Sequence, residues 1–84
     1  MHMKTISIIK SEHKGNFKVK IYFNDNTSRI IDFENFFSKH SHPQYDQYKK
    51  LSLFKRFKIV MGNIVWGKDW DLVFPTYDLY RGKI

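Results

Sequence analysis

Residues 17–32 read FKVKIYFNDNTSRIID, and their pattern decides the fold. Phe17, Val19, Ile21 and Phe23 alternate with Lys18, Lys20 and Tyr22, the period-2 signature of a strand with one face buried and the other in solvent. Asn24-Asp25-Asn26-Thr27 follows, a run of residues that accept turn and left-handed geometry, and apolar β-formers resume in Ser28 to Ile31. A β-hairpin is expected, with its two strands antiparallel. Asp32 then stands as an N-cap before Phe33, Phe36 and Phe37, whose i, i+3, i+4 spacing with Glu34 in the first turn predicts a short amphipathic helix from Phe33 to Lys39.

Toward the amino terminus, Lys4 to Lys10 (KTISIIK) reads as a first strand, and Ser11 to Asn16, which contains a glycine, as the turn that follows it. Toward the carboxyl terminus, Pro43 breaks the first helix, and Tyr45, Tyr48 and Leu51 place a second short helix over Gln44 to Leu51. The β pattern returns at Phe57, Ile59 and Met61, turns at Gly62-Asn63 and continues through Ile64-Val65-Trp66. After a turn at Gly67-Lys68-Asp69 it resumes as the alternation of Trp70, Leu72 and Phe74. Pro75 stops the last strand, and Tyr77 to Tyr80 forms a closing helical turn. The reading is a single small α+β domain over residues 4–80, a twisted antiparallel sheet in the order βββ-αα-ββ(β) with two short helices on one face. Residues 81–84 are read as a flexible tail.

The 84-residue length leaves room for one core only, and eight Phe, five Tyr and two Trp supply its bulk. So aromatic a chain is not expected to be disordered. With no cysteine there is no disulfide framework and no Cys-type zinc site, which suits a reducing cytoplasm. The apolar patch Ile6–Ile9 is too short for a signal peptide or a membrane span, so neither secretion nor membrane insertion is expected. Met1-His2-Met3 reads as a cloning remnant ahead of a natural start at Met3, which removes His2 from any site.

The order and spacing of several weak patterns resemble a bacterial family. They are Val19, Ile21, Phe23 and Asp25, then Arg29, Ile31 and Asp32. The series continues with Leu51, Phe57, Ile59, Met61 and Asn63, Val65-Trp66 and Gly67, and closes on Asp71-Leu72 and Leu79-Tyr80. Together they resemble the domain-of-unknown-function family 2442 over nearly the whole stretch from Lys4 to Tyr80. The chain departs from that family in two places: Asn26 stands where the turn carries glycine, although asparagine tolerates the same left-handed geometry, and Val73 to Tyr77 is longer before the closing Leu-Tyr pair. The resemblance implies a small α+β domain without established catalytic residues, some of whose relatives are encoded beside a second small protein in a toxin–antitoxin-like arrangement.

No catalytic or cofactor constellation stands out: there is no Cys nucleophile, no Gly-flanked Ser and no phosphate-cradling glycine loop. His40 and His42 are spaced to share a metal in an extended segment but lack a third ligand at a recognisable distance, so solvated loop histidines are expected. Asp69 and Asp71 could point to one strand face as paired carboxylates, although a turn carboxylate more often accepts backbone N–H groups. The net charge of +7 favours an anionic partner. Lys18 and Lys20 flank Tyr22 on the outer strand face, with Lys58 expected from a neighbouring strand. Such a face could stack and neutralise single-stranded nucleic acid, reinforced by Lys49, Lys50, Lys55 and Arg56. A solvated outer sheet face is the plainer explanation. Trp66 and Trp70 bracket a tight turn and, if exposed, would anchor a protein partner. The functional expectation is therefore a non-enzymatic module acting through a protein partner or a second copy of itself, with nucleic-acid binding as the alternative.

Overall fold

The computed structural model describes residues 5–84. Strand β2 (Lys18–Phe23) is central in a three-stranded antiparallel sheet, between β1 (Ile8–His13) and β3 (Ser28–Asp32). Val19, Ile21 and Phe23 are buried, as the alternation requires. The β2–β3 turn contains Asn26 at φ 68°, and the Asp25 carboxylate accepts the Thr27 N–H at 3.0 Å.

The first strand is displaced toward the carboxyl end of its expected span: it covers Ile8–His13, and Thr5 to Ser7, read as part of it, lie outside it. It runs to His13, and Ser11, expected to begin the turn, pairs with Ile21. Ile9 is the extra residue where the register shifts between Ile8 and Lys10, which leaves Ile8 buried and Ile9 turned outward. The part of that expectation falling on Lys4 lies outside the described residues.

Helix α1 (Glu34–Lys39) starts where the Asp32 carboxylate accepts the Glu34 N–H at 3.0 Å, and it presses Phe37 into the core beside Phe33. The single helix expected over Gln44–Leu51 is instead a 3₁₀ turn, Asp46–Lys49, followed by α2 (Leu51–Phe54), with Lys50 extended between them. Tyr48 and Phe54 are both buried. On one continuous helix, side chains six residues apart would diverge by roughly 120°, and the break at Lys50 lets both point inward.

The second half forms its own antiparallel sheet from β4 (Lys58–Val60), β5 (Asn63–Trp66) and β6 (Leu72–Val73), with β5 central. The chain reverses at Met61-Gly62, one residue earlier than expected, because both residues take positive φ (51° and 82°) while Asn63 pairs with Val60. Met61, placed by its spacing in a strand, is 89% exposed. Trp70 also leaves the expected alternation. Its N–H donates to the Gly67 carbonyl in a turn, and β6 keeps only two residues.

The two sheets share one core and meet where the Ile8 N–H donates to the Gly62 carbonyl at 2.9 Å. Helix α3 (Thr76–Tyr80) follows Pro75 and closes the structure. Its Thr76 hydroxyl lies 3.0 Å from the same Gly62 carbonyl, and its Tyr80 hydroxyl donates to Asp25 at 2.7 Å. A side chain on Gly62 would place a Cβ 2.6 Å from the Ser7 Cβ, so glycine is required by space as well as by φ. No helix among the described residues is long and apolar enough to cross a membrane.

Asparagine adopts the left-handed region more readily than methionine, and Met61 makes little contact to lose. Met61→Asn should therefore stabilise the domain by about 0.5–1 kcal/mol, read as a higher denaturation midpoint with an unchanged slope.

Candidate functional site

Lys18, Lys20 and Tyr22 do share the outer face of the first sheet, but their partners there change what that face can do. Tyr22 is half-buried, and its hydroxyl donates to Glu12 on β1 at 2.9 Å. The ammonium groups of Lys20 and Lys10 lie 4.9 and 5.4 Å from the centre of its ring. Glu12 also receives Lys14 at 3.1 Å and Lys10 at 3.3 Å. The tyrosine hydroxyl, foremost, and the two lysines hold the Glu12 carboxyl down to about 2. Lys18 stands opposite Asp32 in the register. A base could stack on Tyr22 only by displacing lysines already placed against the ring.

The remaining cationic candidates lie elsewhere. Lys58 is on β4 in the second sheet, with β1 next to it rather than β2, so it does not extend the Lys18–Lys20 face. With Arg56 and Lys68 it lines a cleft of about 280 Å³ beside Tyr48 and Gly67. Lys49 pairs with Asp46 at 3.3 Å, and Lys50 and Lys55 are exposed at the two ends of α2. The sequence-predicted cations are thus split between separate surfaces.

The two tryptophans part company. Trp66 is fully buried and cannot anchor a partner: its indole N–H donates to the Phe54 carbonyl at 2.7 Å inside the core. Trp70 is 40% exposed and held at φ 56°, a conformation unfavourable for a bulky side chain. It lines a cleft of about 460 Å³, within the range of ligand-binding pockets.

That cleft lies between the α1–3₁₀ segment and β6. Phe36, Tyr45 and Phe74 form its aromatic wall, with Phe36 and Phe74 edge to face at 4.8 Å. His40 stacks on Phe36 at 4.5 Å and His42 on Tyr45 at 5.5 Å. The His42 Nδ1 accepts the Gln44 N–H at 3.0 Å, which holds that ring in the loop. Among the described residues no group of three His, Cys, Asp or Glu side chains could hold a metal ion.

Asp71 and Asp78 also line the cleft. Asp69 and Asp71 do not share a strand face, since both precede β6 and Asp69 is exposed in the turn. Asp71 instead accepts the Tyr48 hydroxyl at 3.3 Å. Burial, reinforced by this carboxylate, pushes the Tyr48 phenol up. A Cβ on Gly67 would lie 2.5 Å from Asp71, so the glycine admits this contact. The sequence reading missed Phe36, Tyr45, Phe74 and Asp78 as cleft residues because their spacing resembles that of ordinary core and turn positions. His40, His42, Asp71 and Trp70, each singled out in the sequence for a different reason, were the local signs of the site.

Compared with protein-family models, curated proteins and solved structures, the chain matches none.

Because Glu12 is held below the usual carboxylate range, its contribution to the fold is present above that range and is lost as pH falls through about 2. In a carbon-detected NMR titration, the Glu12 carboxyl should change with a midpoint of about 2, together with the Tyr22 ring signals. A Glu12 midpoint above 4 would mean the cluster is not formed in solution.

Proposed function

We propose that this domain is a non-enzymatic binding module for a protein partner, engaged at the aromatic cleft beside β6. One observation carries the reading: the 460 Å³ cleft joins an exposed tryptophan in a left-handed conformation to a strand whose outer edge is unpaired among the described residues. A partner segment could add to that edge through backbone hydrogen bonds while its side chains enter the cleft. Backbone strain kept at an exposed aromatic residue fits a retained binding role better than a purely structural one. The resemblance to family 2442 supports the same reading, since it implies small domains encoded beside a second small protein, and we place the toxin–antitoxin-like pairing within this proposal. Nucleic-acid binding is the weaker alternative, because Lys10 and Lys20 already lie against the Tyr22 ring and Lys10 also pairs with Glu12.

The test is selection of displayed peptides on the folded domain, with Trp70→Ala and Val73→Pro proteins as counter-selection. A peptide family that binds the parent and neither variant is expected. A second copy in the cleft would appear instead as concentration-dependent dimerisation in light scattering, abolished by Trp70→Ala. A monomer that enriches no Trp70-dependent peptide would overturn the reading. Labelled single-stranded DNA and RNA should bind weakly at about 50 mM salt and negligibly at about 200 mM. Tight binding lost on Lys18→Glu with Lys20→Glu would transfer the function to the sheet face.

Removing Trp70 should cost little stability. Trp70→Gly relieves about 1–2 kcal/mol of left-handed strain, which offsets the packing of a ring already 40% exposed. Its midpoint should stay near or above that of the parent while cleft binding is lost. A large drop would make Trp70 a structural residue.

A further inference from the structure

The cleft's charge runs against that of the whole protein. The chain carries 15 Lys and Arg against 8 Asp and Glu, yet no Lys or Arg lines this cleft, and Asp71 and Asp78 do. Both carboxylates are partly buried. Among the described residues neither forms an ion pair, and Asp78 accepts no side-chain hydrogen bond. Carboxylates without a cationic partner in a cleft with aromatic walls favour a cation, which gains Coulomb attraction from the carboxylates and quadrupole attraction from ring faces. The unpaired edge of β6 next to them suits an extended backbone.

We infer that the partner enters as an extended peptide segment carrying a cationic side chain, of the arginine kind, between apolar residues. The cation lies against Asp71 and Asp78, and the flanking apolar side chains fill the aromatic part of the cleft. This rests on the cleft being the docking surface and adds the chemistry of its occupant. The same carboxylates would repel an acidic segment, which supplies specificity as well as attraction.

Three capped peptides test it, acetyl-Ile-Thr-Arg-Thr-Ile-amide and its versions with citrulline or glutamate in place of arginine. Citrulline keeps the shape and removes the charge. Binding is followed by the Trp70 indole N–H signal in heteronuclear NMR, resolved from that of buried Trp66. The arginine peptide should bind about tenfold more tightly than the citrulline peptide at low salt, and the glutamate peptide more weakly than either. The arginine preference should shrink with added salt and fall in Asp78→Asn, which breaks no side-chain contact. Asp71→Asn should act in the same direction, with loss of the Tyr48 contact as well. Equal affinity for the arginine and citrulline peptides, with Trp70 still perturbed, would overturn the cation and leave the docking surface standing. Failure of all three peptides to move the Trp70 signal would overturn both.

Discussion

The indole of Trp66 is the point on which the fold depends. Its N–H donates to the carbonyl of Phe54 at the end of α2, and its ring meets Phe33, Phe54, Phe57 and Phe74. The entry to the first helix, the end of the second, the connection into β4 and the exit from β6 therefore all converge on one side chain. In a chain this short, a single large residue satisfying a buried carbonyl while packing against several rings replaces a deeper core. Its burial also keeps it from the surface.

Around that centre the two sheets are joined sparingly. Gly62 accepts the Ile8 N–H from the first sheet and lies within hydrogen-bonding distance of the Thr76 hydroxyl of α3. Tyr80 closes the other side by donating to Asp25, while the Arg29 side chain donates to the Tyr80 carbonyl. The hydrogen bond to Asp25 pushes the Tyr80 phenol up, and the Asp25 carboxyl is held down, first by the Thr27 hydroxyl and then by Tyr80. The final helix is thus fastened to the β2–β3 hairpin across most of the chain's length, and the N- and C-terminal halves form one unit.

Elements governed by local pattern were legible in the sequence. The alternation of Phe17 to Phe23, the turn at Asn26 and the aspartate before α1 all depend on nearest neighbours. Elements decided by distant contacts were not. The break at Lys50 exists because Tyr48 and Phe54 must both face inward, and the bulge at Ile9 is fixed by pairing with β2. Met61 and Trp70 read as strand residues by spacing, whereas hairpin geometry and the Gly67 turn set their positive φ. The cations could be counted in the sequence, but their neighbours could not. Glu12 sits among Lys10, Lys14 and Tyr22 only once β1 and β2 are paired.

The brevity of β6 has a consequence for what the protein avoids. An open edge invites any extended chain, including unfolded copies of the same sequence, and long edges seed aggregation. With only Leu72 and Val73 in strand geometry, bounded by the Trp70 turn and by Pro75, this edge offers too few backbone groups to template sheet growth. A segment docking here would depend on the neighbouring cleft for most of its affinity. Discrimination would therefore lie with side chains, and the protein could keep an edge open without becoming a nucleus for its own precipitation.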